Sequence, residues 1–563
     1  MTQASVTRIP ASLAEKATLG FMAIAGLVLA AAPGKITNAL AKRLPLAFTV
    51  ESGGTHFGPF HDIGSTELRR LGLALMIGAA TAIILRRRPI ARRALRPESP
   101  LEGGVRRVAI FAVAFAVFYY LGSPHNAFST NSRIHWVDFT SWDSDNFFYA
   151  AGHLPHTIFY RHPPLWQGLN AGLLAVAMDH LLRRLGWSRV SAAVLTFAFL
   201  MSSTVLLFAD TAEDVLLNFL LLVALMCALL THRSWLRGMA FAGAVLGRPE
   251  FLALIGVYAV AVALMAAYDR FARPGRRWPQ RDSFAFHLRV VAWAIGFIAL
   301  SQVVFTILGT RYIFSHGRVL YLAQLQDLEP ILTHDYLISR FGGAYIGHAL
   351  WILPITMIAT IGAGAIFALR HRDEDPLDTR RVFALFCVGA SAAVVVLHEA
   401  KPLIYYNVRY LSYALPFLYV AALIAVQKIR RYSPTVATAL LVASVLNLFA
   451  LPVNPLTVKH RVEKRVELQL FDHLDEAQDA LDGRRLLVSF GGLTSRNGIA
   501  YVFHTALASI EPTSVDDLRK RLVAHDPTLT TYLIVAKCND VNDLVSGYPV
   551  VVRTADLCVI RPG

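Results

Sequence analysis

Charge is scarce in this chain: Asp, Glu, Lys and Arg make up 16% of its 563 residues, against about 25% in an average soluble protein. With 55% of the residues hydrophobic, a soluble globular enzyme is excluded. Cysteine is scarcer still. Four thiols are too few for a disulfide-stapled scaffold or a zinc ribbon. Cys227 and Cys387 fall in apolar runs as small core residues. Cys538 and Cys558 lie in the polar C-terminal part, where an oxidising compartment would let them pair. No phosphate loop occurs, because Gly491-Gly492-Leu493-Thr494 lacks both the glycine spacing and the lysine. No basic stripe with interleaved aromatics accompanies the net charge of +16, so nucleic acid is not the partner. His135, His153, His156 and His162 match no metal-ligand spacing.

What the chain has in abundance is long apolar runs. The mean hydropathy is +0.48, and runs near the roughly 20 residues that cross a bilayer recur along most of the length. Spans are expected near 17–33, 70–86, 105–121, 167–182, 190–208, 214–231, 237–247, 251–267, 289–309, 346–369, 381–398, 409–426 and 434–451. The fold class is therefore a polytopic α-helical membrane protein with about thirteen transmembrane helices. The run 237–247 is too short to cross alone and is expected to form a bent or re-entrant pair with 251–267.

Alternation orients the spans. Arg86 to Arg107, Arg183 to Arg189, Arg233 with Arg237, Arg270 to Arg289, Arg370 to Arg381, and Lys428 to Arg431 all fall in connections on one side. The positive-inside rule makes that side cytoplasmic. The N-terminus is then inside and the C-terminal part outside an inner (plasma) membrane. Lys16 and Ala30-Ala31-Ala32 flank the first span as they would in a signal peptide, and cleavage there would leave the remaining topology unchanged. Three regions follow: a two-span extension over 1–104, a transmembrane core over 105–451, and an extracytoplasmic α/β domain over 452–563. In the last, strands are expected at 486–490, 499–503, 531–536 and 557–560, with helices over 457–482 and near 514–523.

The outer loop 122–166 concentrates the chemistry. Asp138, Asp143 and Asp145 stand among Trp136, Trp142, Phe147, Phe148 and Tyr149, followed by Tyr160 and the turn His162-Pro163-Pro164-Leu165. A carboxylate at an apolar boundary has its pKa raised by desolvation and becomes a usable general base. The bland alternative is a solvated loop whose acids cap helices, with Ser141 or Asp143 as the cap. Asp210, Glu213 and Asp214 form a second outer group, which helix-dipole stabilisation would equally explain. Outer cations complete the set: Arg248 in Gly247-Arg248-Pro249-Glu250, Arg311, His316, Arg318, His334 and Arg340 in the loop after the ninth span, and later His398, Lys401 and Arg409, with the acid Glu399 among them. Cations against the charge bias need partners, either phosphate or the chain's own acids.

In these motifs the chain resembles the GT-C superfamily of polyprenyl-phosphate-sugar-dependent glycosyltransferases, with protein O-mannosyltransferases and lipid A aminoarabinose transferases as the nearest likeness. Asp145-Asn146-Phe147-Phe148-Tyr149-Ala150 fits the family's acidic loop frame, and Tyr160 with His162 to Leu165 fits its turn. Asp214 ahead of Phe219, Gly243 to Pro249, and Arg409-Tyr410 with Pro416 match the later motifs over roughly 105–450. The resemblance implies that an outer-loop Asp deprotonates an acceptor hydroxyl, which displaces polyprenyl phosphate with inversion. Asp145 takes that place, with Asp143 as substitute, because Asn146 stands where the family has Glu. Arg248, Lys401 and Arg409 would hold phosphate, and Asp214, Tyr160 and His162 would contact substrate. The partners implied are a polyprenyl-phosphate-linked sugar, a glycan, lipid or protein acceptor, and membrane lipids. No cofactor is required, although the acids leave room for a divalent cation. The rival readings are a flippase for a lipid-linked glycan, which would carry an inverted internal repeat, and a non-catalytic envelope scaffold. No such repeat is visible in the sequence.

Overall fold

The computed structural model of the protein describes residues 13–36, 39, 60–86, 99–122, 163–209, 215–272, 284–307, 354–370, 379–400, 411–449, 453–463, 485–490, 530–536, 549–553 and 557–560. Within them the chain is mostly helical. In order the helices are α1 (Leu13–Ala31), α2 (Phe60–Arg86), α3 (Pro100–Leu121), α4 (Pro163–Arg184), α5 (Arg189–Leu200), the single turn α6 (Ser203–Leu206) and α7 (Val215–Leu229). After them come α8 (Ser234–Gly247), α9 (Leu252–Ala272), α10 (Phe284–Ile307), α11 (Ile355–Arg370), α12 (Thr379–Ala400), α13 (Leu415–Tyr432), α14 (Pro434–Asn447) and α15 (Pro455–Glu463).

By length and composition, three described segments suffice to cross a membrane: Leu68–Arg86, Pro100–Leu121 and Phe284–Ser301. Shorter apolar helices include Val215–Leu229, Leu252–Tyr268 and Pro434–Asn447. Large apolar side chains point outward on many helices, among them Phe21, Val108, Val190 and Leu264. That is the surface a lipid solvent accepts. The expected span 190–208 is divided in the structure: α5 stops at Leu200, and Ser202 caps α6 by accepting from Val205 N at 3.4 Å. Hydroxyl side chains compete in this way with helix continuation.

Local sequence explains most of the helix ends. Ser99 and Glu102 form a reciprocal capping box at the start of α3, with Pro100 in the first helical position. At the end of α4, Gly186 takes φ 95°, Trp187 N reaches Leu182 O at 3.1 Å and Gly186 N reaches Arg183 O at 2.9 Å. This pair of bonds is a Schellman stop, for which glycine is the favoured residue. Ser433 ends α13 and caps α14, and its hydroxyl also donates to Glu15 Oε1 at 2.5 Å, tying α1 to the core.

Several helix pairs define which ends lie together. Arg106 on α3 bonds Asp179 on α4 at 2.6 Å, and Arg189 lies 3.9 Å from Glu102, so the basic ends of α3, α4 and α5 meet. Cys227 Sγ approaches Ala177 O at 3.5 Å, so α4 and α7 run in register. The N-terminal helices α1 and α2 pack through Gly26 and Gly72. A Cβ on Gly72 would lie 2.5 Å from Gly26 O, and one on Gly26 would lie 2.6 Å from Gly72 O. Backbone cannot give way as a flexible side chain can. Gly72→Leu is therefore expected to separate α1 from α2 and lower the thermal midpoint of the detergent-solubilised protein, by an overpacking cost of about 1–3 kcal/mol. An unchanged midpoint would show that the two helices do not pack this closely.

In the C-terminal part, β1 (Arg485–Phe490), β2 (Thr530–Ala536), β3 (Val550–Arg553) and β4 (Leu557–Ile560) form a four-stranded sheet of order β1-β2-β4-β3. β1 and β2 are parallel, and the β2–β4 and β4–β3 pairs are antiparallel. The parallel pair requires a crossover connection. The strand expected at 499–503 and the helix near 514–523 lie outside the described residues.

Candidate functional site

The short helix α8 organises the site. It has 14 residues, and Pro249 ends it. The residue before a proline is pushed out of the α region, and Arg248 is accordingly extended, at φ −151° and ψ 129°. The chain then makes a 3-10 turn over Pro249–Phe251 before α9. The bend expected between 237–247 and 251–267 is thus a proline-directed break, and it leaves Arg248 at the joint.

Arg248 is completely buried. Its guanidinium carbon lies 5.1 Å from the centroid of the Tyr413 ring, within reach of a cation–π attraction. Tyr413 meets Phe219 edge-on at 6.0 Å and Phe251 at 5.4 Å. Asn218, also fully buried, comes so near Gly247 that a Cβ there would lie 2.7 Å from its Oδ1. Four segments therefore meet around this joint: the first turns of α7, the end of α8, the 3-10 turn and the run before α13, of which the last sets Tyr413 against the guanidinium. Burying a guanidinium costs several kcal/mol unless hydrogen bonds and counter-charge compensate it. A cation placed so deep is either a structural clamp or a binder of anions.

Of the residues given catalytic or substrate-binding roles from the sequence, Arg248 is the one that falls among the described residues. Asp143, Asp145, Tyr160, His162, Asp214, Lys401 and Arg409 lie outside them. Their neighbours in the chain are described. Pro163 opens α4 directly after His162, and Val215 opens α7 directly after Asp214. Leu411, Ser412 and Tyr413 follow Arg409-Tyr410 and are buried. Gly122 brings the end of α3 against the start of α4, where its Cβ would lie 2.9 Å from Pro164 Cα.

Asn218 and Tyr413 were not singled out in the sequence. Asn218 is a polar residue within an almost wholly apolar run, a visible signal. Tyr413 has none, since one aromatic in an aromatic-rich segment reads as packing. Among the described residues, no group of three or more His, Cys, Asp or Glu side chains gathers as metal ligands would.

No family model and no curated protein matches the sequence. Among solved structures, the chain is similar to the crystal structure of ArnT from Cupriavidus metallidurans bound to undecaprenyl phosphate. The two share 13% sequence identity and superpose with a TM-score of 0.46, over 82% of this chain and 98% of the other. A superposition this loose fixes neither the topology nor the chemistry of the present chain.

Proposed function

We propose that the protein is a GT-C-type membrane glycosyltransferase that moves a sugar from a polyprenyl-phosphate donor to an envelope glycan, lipid or protein on the outer face of the membrane. The observation that carries this reading is the buried Arg248, set against the Tyr413 ring at the proline-directed bend. The segments around it continue in the chain directly into the motif positions Asp214 and Arg409. A scaffold gains little from a fully buried guanidinium, whereas a site that releases polyprenyl phosphate needs a preorganised cation.

In this reading Asp145, or Asp143 in its place, accepts the proton of the acceptor hydroxyl as that oxygen attacks the anomeric carbon. The bond from the anomeric carbon to the phosphate oxygen breaks, the centre inverts, and polyprenyl phosphate leaves as an anion. Arg248, Arg409 and Lys401 hold that phosphate. Asp214, Tyr160 and His162 orient the substrates. The sheet-bearing C-terminal region acts as an extracytoplasmic α/β domain beside the acceptor path.

The test is transfer from a synthetic polyprenyl-phosphate sugar in proteoliposomes, with glycan analysis of envelopes that contain or lack the protein. A flippase would move the lipid across the bilayer and form no new glycosidic bond. Topology is tested separately. A single cysteine substituted for Ser132 is expected to react with a membrane-impermeant maleimide from outside intact cells. Labelling only after permeabilisation would remove the outer-face mechanism.

A further inference from the structure

A second buried arginine lies at the other end of α8, away from the Arg248 site. The sequence pattern groups Arg237 with Arg233 as a loop residue, but the structure corrects this. Arg233 is the N-cap, and Arg237 sits in the first turns of α8 with 1% exposure. Its Nε donates to Thr231 O at 2.8 Å, and its Nη1 donates to the Tyr258 hydroxyl at 3.2 Å. Its Cζ stands 4.8 Å over the Phe286 ring. The Tyr258 hydroxyl in turn lies 2.7 Å from His287 Nδ1. The group spans α8, α9 and α10.

Three features give this group a positive field. The guanidinium has no carboxylate partner among the described residues, and its Nη2 is buried without a hydrogen-bond partner among them. The first turns of α8 and α10 lie at this end, and the start of α8, which no side chain caps, contributes a partial positive charge. Arg233 and Arg289 stand at the starts of those same helices and Arg270 at the end of α9. A buried cation in such surroundings calls for an anion. The fork geometry of arginine, with one nitrogen uncommitted, suits a phosphate oxygen.

We propose that Arg237, positioned by Tyr258 and supported by the starts of α8 and α10, forms a phosphate-binding site on the arginine-rich face of the protein. This proposal is independent of the glycosyltransferase reading. Its ligand is a phosphate group, either on an anionic lipid headgroup or free in solution.

The experiment titrates the purified, detergent-solubilised full chain with phosphatidylglycerol, with uncharged diacylglycerol and with inorganic phosphate. Thermal stabilisation and native mass spectrometry are the readouts. Phosphatidylglycerol is expected to stabilise the protein and remain bound, while diacylglycerol does neither. Arg237→Gln is expected to weaken that binding by roughly thirtyfold or more, and Arg237→Lys to recover part of it. Competition by inorganic phosphate identifies a free-phosphate site, and its absence identifies a headgroup site. Tyr258→Phe keeps the charge but frees the guanidinium, and is expected to weaken binding less than Arg237→Gln. If Arg237→Gln does not fold, Arg237→Lys and Tyr258→Phe decide, and unchanged affinity in both overturns the proposal. Strong thermodynamic coupling between Arg237→Lys and Asp282→Asn, with no change in phosphatidylglycerol binding, would also overturn it, because the counter-charge would then be a carboxylate of the chain itself.

Discussion

Asp145→Asn is expected to leave the protein inserted and folded while sugar transfer in proteoliposomes falls by about 10²–10⁴-fold, the usual contribution of a positioned general base. The substitution is nearly isosteric and removes only the ability to take a proton. Donor binding should therefore persist, and the loss should fall on turnover rather than on donor affinity. Asp143→Asn serves as the internal comparison. If that variant loses the activity and Asp145→Asn keeps it, the base is Asp143, and Asn146 marks a shifted motif. If both retain near-native rates, the acidic loop is not the catalytic element and the mechanism proposed above fails.

Arg248→Met should be the most damaging single change to the described core. The loss of a phosphate contact at a buried guanidinium is expected to cost about 2 kcal/mol or more in donor binding, roughly a thirtyfold loss of affinity. Methionine restores apolar volume under Tyr413, so the thermal midpoint should fall less than it would with alanine. Arg248→Lys keeps the charge but loses the planar fork and its stacking on Tyr413, and should recover part of the affinity. Equal donor affinity in the native protein and in Arg248→Met would reduce Arg248 to a structural clamp. The expected pattern is a raised donor KM with a midpoint that falls less than in Arg248→Ala.

Parts of this architecture were legible in the sequence because they rest on local rules. Pro249 after a small-residue run predicts the break that leaves Arg248 at a joint. Ser99 with Glu102, and Gly186 after Arg183-Arg184, are local end signals of the same kind that were not singled out in the sequence. The short run 237–247 corresponds to α8, a 14-residue helix. The depth of Arg237 could not be seen, because positive-inside counting treats every arginine near a helix end as loop charge. Burial instead depends on Tyr258, 21 positions on, and on His287, a further 29 beyond Tyr258. Tyr413 was hidden for a similar reason: its role comes from Phe219 and Phe251 meeting it across three segments. The break between α5 and α6 reflects Ser202 capping within an otherwise apolar run, where hydropathy averaging hides one hydroxyl.

The shortness of α8 also acts as a ruler. Its 14 residues extend about 21 Å at the standard rise, whereas the hydrocarbon of a bilayer is about 30 Å thick. In the proposed orientation, with Arg233 and Trp235 at the inner interface, the Arg248 end would stop short of the opposite headgroups, roughly 9 Å down by the difference of those two lengths. A lipid-tethered donor would meet Arg248 by sliding sideways without leaving its leaflet, while a water-borne acceptor would have to descend to it. Membranes with shorter acyl chains would make that descent shallower. Bilayer thickness thus becomes a control on acceptor access that leaves the donor's approach untouched.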